Sequence, residues 1–101
     1  MFVKTYRYRV KKENLDKLIK INKEAGKIYK KYGGQGYKTL LKKDGRTIGI
    51  LLLEFYQSKK QFNKIMNLVN KDKKITDLWK KFLLLVNEKE IKEEEFELTD
   101  D

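Results

Sequence analysis

One apolar run, residues 49–56, constrains the fold of this chain more than any other feature. Its length suits a β-strand, in which successive side chains point to opposite faces. Leu51, Leu53 and Phe55 fall on one face, and the opposite face receives Ile50, Leu52, Glu54 and Tyr56. Since both faces are largely apolar, such a strand needs cover on both sides. The chain has only two long amphipathic segments, enough for one side, so the pattern predicts that a second copy of the sheet covers the other.

The composition limits the size of the molecule and its chemistry. With 101 residues, the chain is predicted to be a single domain over residues 1–101. It contains no Cys and no His, so we expect no disulfide, no cofactor and no transition-metal site. No apolar run reaches the ~20 residues of a membrane span and the start is unlike a signal peptide, which predicts a cytoplasmic protein without membrane contact. Abundant Lys and Glu are typical of a thermophile source.

Charge is unevenly distributed along this basic chain. The net charge is +10, yet residues 88–101 hold eight acids against Lys89 and Lys92, a net −6, which leaves +16 on the rest. A body this basic would attract nucleic acid or other anions at low salt. A solvated lysine coat without a partner explains the same composition.

The first half of the chain reads as strand, helix and strand. Residues 2–10 alternate, with Phe2, Tyr6, Tyr8 and Val10 on one face. A helix then begins at residue 13 or 14 and ends at Gly33, a residue that tolerates the left-handed conformation at a helix end. Its predicted apolar stripe consists of Leu15, Leu18, Ile19, Asn22, Ala25, Gly26, Tyr29 and Tyr32. Residues 37–43 form a second strand.

The second half returns through the central strand into helices. Asp44-Gly45 is predicted to be the two-residue hairpin turn that leads into the central strand. Ser58 and Gln61 have capping-box spacing, so a helix is expected to begin there. A polar break at residues 70–74 separates it from another helix, for which Thr76 is a candidate cap. The acidic segment 88–101 is expected to contain the last strand, anchored by two apolar residues, Phe96 and Leu98.

The resulting order is β-α-β-β-α-β. This order predicts an α+β, ferredoxin-like fold, with a four-stranded antiparallel sheet and the helices on one face.

A short motif at the end of the central strand adds a resemblance. Glu54-x-Tyr56-x-Ser58-x-x-x-Phe62 resembles the dimeric α+β barrel superfamily, which includes antibiotic-biosynthesis monooxygenase-like and NIPSNAP-like domains. The opening stretch, residues 6–10, is similar to those domains as well. The resemblance implies a homodimer whose two sheets pack face to face. Some relatives are cofactor-free oxygenases and others degrade haem, but those chemistries often involve a His, which this chain lacks.

The candidate site residues are one carboxylate and a set of aromatic side chains. Glu54 stands alone within an apolar run and could act as an acid or base if buried; alternatively it pairs with Arg7, Arg9 or a lysine. The aromatic side chains could line a pocket for a flat apolar ligand, or could be ordinary core. The predicted ligand-binding residues are Tyr6, Tyr8, Tyr29, Glu54, Tyr56 and Trp79.

Three functions remain open from the sequence. The first is a homodimeric barrel protein that binds a small apolar or aromatic ligand between sheet and helices. The second is a cofactor-independent monooxygenase-like enzyme on the same fold. The third is a basic RNA- or nucleic-acid-binding module, which is disfavoured because the RNA-recognition plan needs stacking rings on the sheet where this chain has Ile48, Ile50 and Leu53.

Overall fold

The structure is a computed structural model that describes residues 1–99, apart from the side chain of Asp44. It contains four strands and three α-helices, together with short 3₁₀ turns at Lys12–Asn14 and Glu88–Glu90. In chain order, the elements are β1 (Phe2–Lys11), α1 (Leu15–Lys31), β2 (Tyr37–Asp44), β3 (Thr47–Tyr56), α2 (Lys59–Val69), α3 (Lys73–Leu83) and β4 (Lys92–Glu97). The predicted element order is confirmed, including the division of the second helical region into two helices.

The strands form one antiparallel sheet in the order β2-β3-β1-β4. β3 and β1 are central, and their register places Lys4 directly opposite Glu54. β4 lies at the edge, where Phe96 pairs with Val3. This arrangement confirms the ferredoxin-like α+β fold and the assignment of the acidic segment to an edge strand; Asp100 and Asp101 of that segment lie outside the described residues.

The two faces of the sheet have different surroundings. Even-numbered residues of β1 and β3 face the helices, where Tyr8 and Ile50 pack against Leu18 and Phe82. The odd-numbered residues of β3 point away from the helices, and among them Leu51 remains partly exposed. The face opposite the helices is therefore apolar in part, and no helix within residues 1–99 covers it.

The core on the helix side is divided into two clusters. One cluster joins the first half of α1 and the end of α3 to the sheet, and its buried members are Tyr8, Val10, Leu18, Ile48, Ile50 and Phe82. The other is formed mainly by α2 and one end of the sheet, with Phe2, Tyr56, Phe62, Ile65 and Val69. The gap between these clusters is where the cavity described below lies.

Turns and helix ends agree with the sequence in some places and differ in others. Gly33 has a positive φ of 115° and ends α1 as predicted, while Gln61 donates its backbone N–H to Ser58 Oγ at 3.1 Å. The prediction that Thr76 caps α3 is wrong, because Asp72 occupies the N-cap and its carboxylate accepts the N–H of Lys74 at 2.9 Å.

The hairpin turn also differs from the prediction by one residue. Asp44 pairs with Thr47, so the two turn residues are Gly45 and Arg46. Gly45 is the first of the two turn residues, and its φ of +68° lies in the left-handed region that favours glycine. The position of the turn is therefore set by this glycine and not by the aspartate before it.

Candidate functional site

A cavity of about 140 Å³ lies between the sheet and the helices α1 and α3. It separates the two core clusters and takes parts of its wall from each, Tyr8 and Phe82 from one and Tyr56 and Ile75 from the other. All six residues predicted to bind a ligand line this cavity, namely Tyr6, Tyr8, Tyr29, Glu54, Tyr56 and Trp79. The structure thus brings the whole predicted set together.

Glu54 provides the carboxyl group of the cavity wall. Its even-numbered position on β3 directs it to the helix side, where it is 9% exposed. The Tyr56 hydroxyl, two residues along the same strand face, donates a hydrogen bond of 2.8 Å to Glu54 Oε1. Burial raises the pKa of Glu54 to about 7, although the hydrogen bond from Tyr56 and the charge of Lys4 lower it in part. The carboxyl group can therefore both accept and donate a proton near neutral pH.

The charged neighbour of Glu54 is a lysine on β1. Lys4 is its cross-strand partner, and Lys4 Nζ lies 3.2 Å from Glu93 Oε1 and 3.8 Å from Glu95 Oε2 on β4. The alternative that Glu54 pairs with Arg7 or Arg9 is wrong, because odd-numbered residues of β1 lie on the opposite face of the sheet. The alternative partner, a lysine, is the one whose charge acts on Glu54.

The four tyrosines predicted as site residues line the cavity, and their hydroxyl groups differ in their hydrogen bonds. Tyr8 Oη accepts a hydrogen bond of 2.9 Å from Asn22 Nδ2, and burial raises the Tyr8 pKa to about 12. Burial likewise raises the pKa values of Tyr6 and Tyr29 above the ordinary range. Within residues 1–99, neither of these two hydroxyls has a hydrogen-bond partner, and no fully enclosed polar side-chain atom lacks one. Both hydroxyls are therefore accessible from the cavity.

Trp79 lines the cavity from α3 and is partly exposed to solvent rather than buried in the core. Its side chain is 47% exposed, and its ring stacks on Phe82 with a centroid distance of 5.3 Å and an angle of 21°. One turn earlier on α3, Ile75 also lines the cavity. The alternative that Trp79 is ordinary core is thereby contradicted by its exposure.

The lining residues that were not predicted as site residues include Asn22, Tyr37 and Leu52. Tyr37 reaches the cavity because its ring lies over Gly26, where an added Cβ would stand 2.3 Å from Tyr37 Cε1. A glycine in the middle of the helical stripe is unfavourable for a helix, so it is a signal of close approach. Without the strand position of Tyr37, that signal does not identify the approaching group.

The described residues contain neither a metal-binding cluster nor a membrane-spanning helix. Across residues 1–99, no three carboxylate side chains converge in a way that could hold a metal ion. No helix in this same range combines the length and apolar character needed to cross a bilayer.

Known structures resemble this one over nearly the whole chain. An uncharacterized NIPSNAP domain protein from Burkholderia xenovorans has a TM-score of 0.72 and 13% identity, covering 99% of this chain and 96% of its own. An antibiotic biosynthesis monooxygenase has a TM-score of 0.70 and 10% identity, with coverage of 98% and 99%. SnoaB, a cofactor-independent oxygenase from Streptomyces nogalater in its N63A form, has a TM-score of 0.71 and 7% identity, with coverage of 99% and 95%.

The chain has the ferredoxin-like α+β fold of these proteins. The resemblance drawn from the Glu54–Phe62 motif is thus confirmed at the level of the fold. No protein-family model matches the sequence, and no curated protein matches it. At identities this low, the likeness defines the fold alone, and the function has to be argued from the cavity.

Proposed function

We propose that this protein binds a small apolar or aromatic ligand in the cavity between its sheet and its helices. The observation that carries the proposal is the cavity itself, which has aromatic walls and a buried carboxyl group, that of Glu54. Small-molecule sites are typically concave, largely apolar and supplied with a few polar groups that orient the ligand. Because the lining residue Trp79 is also exposed to solvent, a ligand could enter the cavity on its side.

The test fills the cavity from the helix side. Ala25 lines the cavity on α1, and Ala25→Phe would place a ring in the space that a ligand needs. Lys23→Phe, at an exposed position of the same helix, is the matched control. We expect saturable calorimetric binding of toluene to the parent and the control, and at least tenfold weaker binding to Ala25→Phe. Equal binding by all three proteins would overturn the proposal.

We also propose that the protein is a homodimer formed through the sheet face opposite the helices. This face carries Leu40, Leu51, Leu53, Phe55 and Phe96, of which Leu40 and Phe96 are about half exposed at 52% and 50%. Exposed apolar patches of this kind are uncommon on monomers and mark interaction sites. A second copy supplies an apolar sheet face of matching shape, and face-to-face sheets pack about 10 Å apart. The structurally similar NIPSNAP domain protein from Burkholderia xenovorans is itself uncharacterized, so the apolar sheet face alone supports the proposed dimer.

A second candidate function is cofactor-independent oxygenation, the activity named for the structurally similar SnoaB. The observation that favours it is the position of Glu54, whose pKa of about 7 suits a general base on the wall of an apolar cavity. In this function Glu54 would remove a proton from the bound substrate. The test measures oxygen uptake in the presence of electron-rich phenols. Oxygen uptake that the Glu54→Gln substitution abolishes supports the oxygenase function. If no phenol that binds gives oxygen uptake, the oxygenase function is contradicted and the binding function remains.

A further inference from the structure

The dimensions and polar groups of the cavity define a narrower class of ligand. Resting on the ligand-binding function proposed above, we infer that the ligand is neutral, has a single ring, and carries a hydroxyl group of the phenol or enol type. Three features of the cavity lead to this class: the volume, the unpartnered hydroxyls of Tyr6 and Tyr29, and the largely apolar lining.

The volume allows one ring. The cavity measures about 140 Å³, close to the roughly 150 Å³ of an engineered apolar cavity that accommodates benzene. Its lining is largely aromatic and aliphatic, with Leu52 on the sheet and Ile75 and Leu78 on α3. A two-ring ligand would have to displace one of these elements or protrude past Trp79. The cavity therefore fits a six-membered ring with one short substituent.

The polar groups of the cavity fit a ligand oxygen that both donates and accepts a hydrogen bond. Glu54 Oε1 already accepts the hydrogen bond of Tyr56, and no residue of the described chain donates to Glu54 Oε2. The hydroxyls of Tyr6 and Tyr29 likewise have no partner. A ligand hydroxyl that donates to the Glu54 carboxylate and accepts from one of these tyrosines would satisfy both kinds of group at once. Toluene, which has the same shape, would leave them unsatisfied.

The apolar lining disfavours ionic ligands. Among the described residues, the charged groups that line the cavity are Glu54 and Lys30, and Lys30 is exposed to solvent. A charged ligand would therefore lose its hydration against a wall that is largely apolar. A neutral hydroxyl ligand avoids this cost and still forms hydrogen bonds to Glu54 and the tyrosines.

The experiment compares four ligands that differ in hydroxyl group, charge or size, and it measures their binding to the parent protein by calorimetry. We use phenol, toluene, benzylamine and 1-naphthol, and we expect phenol to bind about tenfold more tightly than toluene, the ratio given by one net hydrogen bond. Benzylamine and 1-naphthol should bind more weakly than phenol. Equal affinity for phenol and toluene would overturn this inference while leaving the proposed function intact. Tighter binding of 1-naphthol or benzylamine would overturn it as well, through the size or the charge of the ligand.

Absence of binding by all four ligands would overturn the inference and the proposed function together.

A second experiment uses variants of the tyrosines to identify which hydroxyl groups bond to the ligand. Tyr6→Phe with Tyr29→Phe keeps both rings, so toluene should bind as before while the preference for phenol disappears. Tyr32→Phe is the matched control, because the Tyr32 hydroxyl donates to Asp72 outside the cavity. A phenol preference that survives in the double variant would contradict the assignment of these hydroxyls, and each single variant gives the same test if the double variant does not fold.

Discussion

Glu54 is the residue at which the sequence and the site agree most closely. A lone carboxylate in an apolar strand is visible in the sequence, and the parity of β3 places it on the helix side, beside Tyr56. The sequence could not decide between the two faces, because both faces of β3 are largely apolar. Burial raises the pKa of Glu54 to about 7, which makes this residue a determinant of stability as well as of the proposed binding.

The first prediction is a dependence of stability on pH that is due to Glu54. Its pKa rises from 4.5 to about 7 on folding, so its stabilising contribution is fully present below pH 4.5 and is lost as the pH rises through 7. The loss amounts to roughly 3 kcal/mol at most. Glu54→Gln is neutral at every pH, and it should be more stable than the parent at pH 8 by up to that amount.

Denaturant unfolding of both proteins at pH 4 and pH 8 measures this difference. The groups that act on Glu54 from neighbouring positions, Tyr56, Lys4 and Glu93, are the same in the two proteins. A difference in the free energy of unfolding that does not change between the two pH values would contradict the raised pKa.

At the scale of the elements, periodicity predicted which strands and helices form but not every buried position. The stripe of α1 included Ile19, yet this residue is 42% exposed while Ile21 packs on the first core cluster. The buried face of α1 is centred on Leu18 and extends to Ile21 rather than to Ile19, a detail of packing that periodicity within α1 does not report. The turn at Gly45 and the cap at Asp72 were missed for a similar reason, since several polar residues at each junction fit the local rules equally well.

The second prediction concerns the start of α3. Asp72 accepts a backbone N–H from Lys74 and the hydroxyl of Tyr32, so it joins α3 to the end of α1. Asp72→Ala should lower the melting temperature because both hydrogen bonds are lost. Asp72→Asn should retain most of the stability, and Thr76→Ala should change it little. A larger effect from Thr76→Ala than from Asp72→Ala in thermal unfolding would restore Thr76 as the cap.

At the scale of the whole molecule, the fold was predictable, whereas the cavity was only one of two alternatives for the aromatic residues. The six site residues were chosen for their chemistry, and their meeting in one place depends on the gap between the two core clusters. Such a gap is set by how α1 and α3 rest on the sheet. Residue types alone leave open whether an aromatic side chain fills the core or lines a space.

The third prediction tests the proposed dimer. Leu53→Lys places a charge at the centre of the open sheet face, opposite Thr5 and Lys38 in the register. We expect light scattering to give a dimer for the parent and a monomer or an insoluble protein for Leu53→Lys, because burying an unpaired charge is unfavourable. Leu84→Lys is the matched control at a leucine that is 84% exposed at the end of α3. A parent protein with the 12.2 kDa mass of one chain at micromolar concentration would contradict the dimer.

The fourth prediction concerns the acidic segment 88–101 and the basic body. Within it, Glu93 and Glu95 pair with Lys4, and Glu95 also pairs with Lys59. Deleting the segment removes β4 together with these acids, so it should lower the melting temperature and increase salt-sensitive binding to heparin. If the protein without this segment bound RNA more tightly than heparin, the result would favour the nucleic-acid-binding module among the three functions.

A milder variant separates charge from strand pairing. Changing Glu88, Glu90 and Glu94 to Gln keeps β4, and these three make no ion pair with a residue of the described chain. Since exposed charges contribute only about 0.2–1 kcal/mol each, this variant should bind heparin more tightly and melt close to the parent. If both variants melt and bind like the parent, the segment contributes neither stability nor charge screening.

The most direct test of the ligand-binding cavity is an amide NMR titration with toluene. Binding in the cavity should shift the indole N–H of Trp79 and the backbone amides of Gly26, Gly34 and Gly36, all of which line it. The amide of Gly45, in the distant hairpin turn, serves as the internal reference. Saturable shifts confined to the lining residues are the predicted result. An unchanged spectrum at saturating toluene, or shifts confined to the open sheet face, would contradict the account.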